Sequence, residues 1–441
     1  MAGQLILALA ILVSLHEWGH YISARSFGIR VEKFFIFFDA WGTKLFSKKI
    51  GDTEWGIGWL PLGGYVKISG MIDESLDQDQ LSSEPENHEF RSKPAWQRLI
   101  VMVGGVTVNF ILGIIIFSLT LWHYGDTWLP AQAVNDAHGI VVTDFGAKAG
   151  FKSGDKLLTV NGAEREKFRD YANPAIVLKS DSLVFEVDRN GETISIQISS
   201  ELSKALLESK GQRLFSYRTV AQIDTVLTEA AIAGGFQKGD IPISVDGAPA
   251  YYYDQLQTTL ASLKGEKVNI AVLRGTDTVG LVTELDTAGS IGVGLMGPSA
   301  LFAQAKTTKY GFIESFPAGT KKGLSALADN ISAFGLMFKG KLNPVKSVSG
   351  PLGIAKIFGA TWNWQRFWEI TGMLSFILAF MNLLPIPALD GGHVLFLLVE
   401  MVRRKPLPEK VMYYFQVSGM VILFALMGFI IFIDFFNAIF N

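Results

Sequence analysis

The chain has 441 residues, of which 49% are hydrophobic, with a formal net charge of -2 and no cysteine. It is too long for one ordinary domain and too apolar for a purely soluble protein, so a membrane protein with a soluble insert is expected. A near-neutral charge without a basic stripe excludes nucleic acid as a partner, and the lack of cysteine excludes disulfides and thiolate metal ligands.

Four segments are apolar over about the 20 residues that a helix needs to cross a hydrocarbon core: Leu5 to Ala24, Leu99 to Trp122, Phe367 to Leu384 and Val411 to Ile433. The first contains His16-Glu17-Trp18-Gly19-His20. Ionisable side chains are costly in lipid, so this run points to function. Two histidines at i and i+4 share one helix face and can pinch a zinc ion, while the glutamate between them can take a proton from water activated by that ion. The blander alternative, a hydrogen-bonded pair of membrane histidines, leaves Glu17 in hydrocarbon with no partner named for it. This first segment lacks a basic leading region and has HEWGH where small cleavage-site residues would be needed, so it reads as a retained span and not a signal peptide.

Basic residues cluster after the first span (Arg25, Arg30, Lys33, Lys44, Lys48, Lys49), before the second (Arg91, Lys93, Arg98) and between the third and fourth (Arg403, Arg404, Lys405, Lys410). Both loops are therefore expected on the cytoplasmic side, with both termini and the long insert outside.

Within the insert, Gly150-Phe151-Lys152-Ser153-Gly154-Asp155, followed by Val160-Asn161-Gly162, recurs 85 positions on as Gly235-Phe236-Gln237-Lys238-Gly239-Asp240, followed by Val245-Asp246-Gly247. Each copy predicts a Gly-Asp turn, an apolar strand and a hairpin turn. The two passages resemble PDZ domains of the bacterial protease type, which bind extended peptide beside a sheet edge; a spacer or steric filter remains the alternative. Pro242 stands where a strand residue is usual, which predicts a frayed or edge strand there. From Gly311 to Lys346 the pattern turns amphipathic, predicting a helix on the outer membrane surface, because Asp329 and Asn330 would make spanning expensive.

Catalytic zinc usually keeps three protein ligands. His88 lies in a polar acidic loop, and His123 and His138 lie on the outer side, so a carboxylate is the better third ligand. Asp390 closes the run Asn382-Leu383-Leu384-Pro385-Ile386-Pro387-Ala388-Leu389-Asp390, with His393 as the competitor. Spans one and three run in the same direction, which brings Asp390 into the leaflet of His16 and His20. Prolines 385 and 387 free the backbone from helix there, a state tolerated at membrane depth where it lines a cavity.

HEWGH near the N terminus, Pro61-Leu62-Gly63-Gly64-Tyr65-Val66-Lys67, the tandem repeats, Gly350-Pro351-Leu352-Gly353-Ile354 and the Asn382 to Asp390 run together resemble the site-2 protease family of intramembrane zinc metalloproteases, from end to end. The resemblance implies zinc held by His16, His20 and Asp390, Glu17 as general base, and Asn382 and Pro385 in a run that holds the unwound substrate. It also implies a re-entrant β-hairpin over residues 55–67, with Gly56, Gly58, Gly63, Gly64 and Tyr65 as substrate-binding residues. Gly104-Gly105-Val106-Thr107-Val108-Asn109-Phe110 departs from the family's A-G-P-x-x-N-F run at Val106. The implied substrates are single-pass membrane proteins already trimmed outside, typified by an anti-sigma factor, with remnant signal peptides as further candidates.

The expected architecture is therefore a membrane α-helical protein of four transmembrane helices with a cytoplasmic-side β region, plus two periplasmic PDZ domains, in a bacterial inner membrane. Its divisions are residues 1–25 (span), 26–95 (cytoplasmic loop), 96–122 (span), 123–218 and 219–298 (PDZ), 299–366 (amphipathic region), 367–390 (span and Asp390 loop), 391–410 (cytoplasmic loop) and 411–437 (span). A secondary transporter would show inverted repeats among the spans, and none is visible. A catalytically inert PDZ scaffold would have no need of stoichiometric zinc.

Overall fold

The computed structural model describes every residue except 62, 72–83, 174–175, 177–182, 210–211, 298, 344–349 and 441. Its chain divides into two compact units: residues 1–125, 309–335 and 344–441 form one, and residues 126–308 and 336–343 the other.

The first unit is built on helices α1 (Ala2–Ser26), α2 (Ala95–Tyr124), α3 (Phe312–Phe338), α4 (Pro351–Phe358), α5 (Trp364–Leu383), α6 (Asp390–Arg403) and α7 (Glu409–Phe440). Among the described residues three stretches are long and apolar enough to cross a membrane, namely α1, α2 and Lys410–Phe432 within α7. The third expected span, Phe367 to Leu384, falls on the 20-residue α5, which is not among these three stretches. Large apolar side chains stay exposed along α7, including Val421, Ile422, Phe424 and Phe432, as a lipid-facing helix requires.

Helix α2 is the hub. Gly19 of α1 and Gly104 of α2 meet backbone to backbone, and a Cβ on either would enter the other's peptide group. On another side, a Cβ on Gly319 of α3 would stand 2.5 Å from the amide nitrogen of Ser118. The helix expected along the outer surface thus touches α2 closely at Gly319, while Gly323, one turn on, meets the Phe376 ring of α5. Helix α2 runs unbroken through Val106, so the departure from proline leaves continuous hydrogen bonding at that point. Asp434 of α7 accepts from the backbone amides of Gly350, Leu352 and Gly353 at 3.3, 3.1 and 3.4 Å, placing a carboxylate at the positive end of α4.

Between α1 and α2 lies a small sheet of β1 (Val31–Ile36), β2 (Lys44–Ile50), β3 (Thr53–Gly58) and β4 (Tyr65–Ile68), in the order β2-β3-β1-β4. This corrects the hairpin expected over residues 55–67. Both of its arms are strands, but β1 separates them, running parallel to β3 (Phe34 opposite Trp55) and antiparallel to β4 (Phe35 opposite Tyr65). The cause is the apolar run Val31-Glu32-Lys33-Phe34-Phe35-Ile36, whose Val31, Phe34 and Phe35 are buried and so take the centre. Trp18 and Tyr21 of α1 pack on Phe34 and Trp55, with Phe34 and Trp55 ring centroids 4.6 Å apart, which fixes the sheet to the HEWGH helix. Strand β4 is left as an edge among the described residues.

The second unit holds two apolar cores, one around Ile140, Phe151, Phe185 and Phe215, the other around Phe236, Val245, Ile270 and Val272. Its strands, in chain order, are β5 (Asp126–Trp128), β6 (Ile140–Val142), β7 (Lys156–Val160), β8 (Leu183–Arg189), β9 (Glu192–Ile198), β10 (Phe215–Tyr217), β11 (Ile223–Val226), β12 (Ile241–Val245), β13 (Ala248–Pro249), β14 (Lys267–Arg274), β15 (Asp277–Glu284), β16 (Val293–Leu295) and β17 (Lys306–Thr308). The first core carries sheet β7-β8-β9 and the second β13-β12-β14-β15. Pro242 sits at a register shift between β12 and β14, but β12 lies between β13 and β14 and is not the edge strand expected there, because the shift accommodates the missing N–H.

The repeat extends to side chains. Asp155 accepts from the Lys152 amide at 2.8 Å and Arg189 Nε at 2.7 Å, while Asp240 accepts from the Gln237 amide at 2.9 Å and Arg274 Nε at 2.7 Å. Both aspartates are buried. Burial works to raise the Asp240 carboxyl, but the Arg274 guanidinium and the Gln237 amide outweigh it and hold the group below the usual carboxylate range.

Candidate metal centre

The i, i+4 spacing predicted from HEWGH is realised on α1: His16 Nε2 and His20 Nε2 stand 3.2 Å apart. Asp390 arrives from the far end of the chain. Helix α5 stops at Leu383, Pro385 and Pro387 keep the next residues out of helix, and Ala388 takes a positive φ of 70° before α6 begins at Asp390. This bent link delivers Asp390 Oδ2 to 3.1 Å from His16 Nε2 and 3.4 Å from His20 Nε2. Among the described residues these three form the one group of metal-ligating side chains that converges, with all ligand atoms within 4.8 Å of one another.

The chemistry of this donor set fits a zinc ion. His20 Nδ1 lies 2.9 Å from the carbonyl oxygen of Val101, so Nδ1 carries the proton and Nε2 presents a lone pair. That lone pair, the facing His16 nitrogen and a buried carboxylate oxygen all point inward, and Asp390 Oδ2 has no well-formed hydrogen bond among the described residues. Three inward acceptors repel one another unless a cation lies between them.

A cavity of about 900 Å³ opens on the centre, lined among others by His16, Glu17, His20, Tyr65, Asn382 and Asp390. Gly63, Gly64 and His393 also line it. His393 therefore shares the cavity but stands outside the converging triad. Asn382 Nδ2 is 3.2 Å from His16 Nε2. Gly56 and Gly58 lie elsewhere, in the interior strand β3, where Cβ atoms would strike the Phe35 ring and the Phe38 backbone. Their role there is close packing of the sheet. Pro385 shapes the link to Asp390 from outside the cavity lining.

Helix α2 contributes what the sequence did not announce. Val101, Gly105 and Asn109 recur at i, i+4 and i+8 on the face against the histidines: Val101 offers its carbonyl to His20, the Asn109 side-chain amide group lies 3.3 Å from His16 Nδ1, and Gly105 leaves the room both rings occupy. A backbone carbonyl carries no signal in sequence, whereas Gly105 and Asn109 stand in the run already set against the family's A-G-P-x-x-N-F pattern, to which no role was given.

The model of Peptidase family M50 matches residues 4–426. A protein of Neisseria meningitidis named as a candidate zinc metalloprotease is 30% identical, covering 98% of this chain and 97% of its own length. Regulator of sigma-E protease RseP of Escherichia coli is 28% identical, with 98% of each covered, and Metalloprotease MmpA of Caulobacter vibrioides is 28% identical over 95% of this chain and 90% of its own length. With the family match running nearly end to end and the ligand cluster set among apolar helices, the chain belongs to peptidase family M50, as a membrane-embedded zinc metalloprotease.

Proposed function

We propose that this chain hydrolyses a peptide bond inside single-pass membrane proteins, with zinc on His16, His20 and Asp390 and Glu17 as general base. The convergence of these three ligands from opposite ends of the chain is the observation that supports it. A zinc ion bound there supplies a Lewis acid and lowers the pKa of water. Glu17, on the cavity wall one residue after His16, takes the proton and returns it to the leaving amine. A substrate helix hides its amides in internal hydrogen bonds and must be unwound first. Edge strand β4, with Gly63, Gly64 and Tyr65 at the cavity, offers backbone groups to which an unwound segment can be added. Asn382 steadies that segment beside the metal.

The E. coli relative is named a regulator of sigma-E protease; together with the family resemblance of the sequence this supports, as the substrate class, an anti-sigma factor trimmed outside before the intramembrane cut, and an inner-membrane setting. In this reading α1, α2, α5 and α7 are the four spans, with the termini and the second unit periplasmic and the metal towards the cytoplasmic leaflet. The two modules of the second unit are PDZ domains that exclude untrimmed proteins. The test is cleavage of a model single-pass substrate by wild type, Glu17→Gln and His20→Ala. Both variants should lose cleavage, Glu17→Gln with zinc retained; normal cleavage by Glu17→Gln refutes the mechanism. A protein lacking residues 139–294 should cut untrimmed substrate, and unchanged selectivity refutes the filter.

A further inference from the structure

His16 is flanked by two asparagines, Asn109 Nδ2 at 3.3 Å from Nδ1 and Asn382 Nδ2 at 3.2 Å from Nε2. A neutral imidazole has one acceptor nitrogen and one N–H, so it cannot accept from both amides. One amide must turn to present oxygen. Asn109 is that residue: it is fully buried, and its Oδ1 has no partner among the described residues. Rotating its side-chain amide by half a turn brings Oδ1 to the position facing Nδ1, where it accepts Nδ1–H and leaves Nε2 as the lone-pair nitrogen. Its backbone is already fixed, because Ser375 Oγ on α5 donates to the Asn109 carbonyl at 2.7 Å.

We propose that Asn109 is a positioning residue that accepts the Nδ1 proton of His16, locking that ring in the tautomer whose Nε2 lone pair faces His20 Nε2 and Asp390 Oδ2. His20 receives the same service from the Val101 carbonyl two helical turns earlier. One face of α2 therefore sets both imidazoles, one through backbone and one through side chain. This rests on the zinc ligands named under the proposed function. Outer partners of metal-bound histidines typically contribute about 10–100-fold in metal affinity.

The test is zinc affinity of the full-length protein in detergent, by competition with a chromogenic chelator, for wild type, Asn109→Leu and Asn109→Asp, with the optical spectrum of the cobalt-substituted proteins as second readout. Asn109→Leu keeps the volume and loses the acceptor; it should bind zinc about 10–100-fold more weakly, with a shifted cobalt spectrum. Asn109→Asp keeps an acceptor oxygen and should stay near wild type. A purely packing role gives the opposite order, because a buried carboxylate disturbs packing more than leucine. Asn109→Leu with wild-type affinity, or Asn109→Asp no tighter than Asn109→Leu, overturns the proposal. A wild-type protein that holds no zinc instead overturns the ligand assignment beneath it.

Discussion

Replacing Gly105 with alanine should damage the metal centre while leaving the fold nearly intact. Gly105 lies mid-helix in α2, where alanine is intrinsically favoured by about 0.8–1.0 kcal/mol. Against that, the new Cβ would lie 2.5 Å from His20 Nε2, 2.6 Å from His16 Cε1 and 2.8 Å from His16 Nδ1. Ordinary carbon contacts begin near 3.5 Å, so both rings must retreat by about 1 Å. Overpacking of this kind costs about 1–3 kcal/mol, which leaves a net loss of stability of roughly 0–2 kcal/mol. A site of this type tolerates only about 0.5 Å of displacement, and a misplacement of about 1 Å can cost 100-fold in rate. The assay combines zinc content after dialysis against a chelator, the cleavage rate of a model single-pass peptide, and thermal melting followed by circular dichroism. We expect a melting curve close to wild type, weakened zinc retention and cleavage down by about 100-fold. Wild-type zinc retention together with cleavage within about twofold of wild type would refute the packing argument for α2.

Asn382→Ala should cut cleavage by at least about tenfold while zinc content stays stoichiometric, which separates a substrate-holding role from a ligand role; loss of zinc would count against it. The depressed Asp240 carboxyl sets a pH dependence. A group whose folded pKa lies below its unfolded value stabilises the fold fully above the ordinary carboxylate range, and that stability fades as pH falls through the folded value. Hydrogen-exchange protection of residues 223–295, corrected for intrinsic rates, should therefore be flat from neutrality to about pH 4 and decline below it. Arg274→Met should remove that dependence, and a profile unchanged by the substitution would contradict the pairing.

Much of the centre was legible because its signals are local. HEWGH brings two imidazoles to one helix face by helical periodicity alone, with Glu17 between them, and Pro385 with Pro387 marks the broken backbone that carries Asp390. The sheet was harder. Parallel pairing of β1 with β3 is non-local, and nothing within residues 55–67 reveals that Val31–Ile36 wedges between the two strands. Gly56 and Gly58 consequently look like edge glycines in sequence and prove to be interior ones. The aspartate–arginine pairs of the second unit sit at the same offset as Phe151 and Phe236, so following the repeat beyond its turn would have found Arg189 and Arg274.

X-ray absorption at the zinc edge on the purified protein tests the central claim most directly. The account predicts one zinc per chain with two imidazole nitrogens at about 2.0–2.1 Å and carboxylate or water oxygen at about 2.0–2.2 Å, and His20→Ala stripped of the ion. An all-oxygen shell, or zinc retained undiminished in His20→Ala, would contradict it.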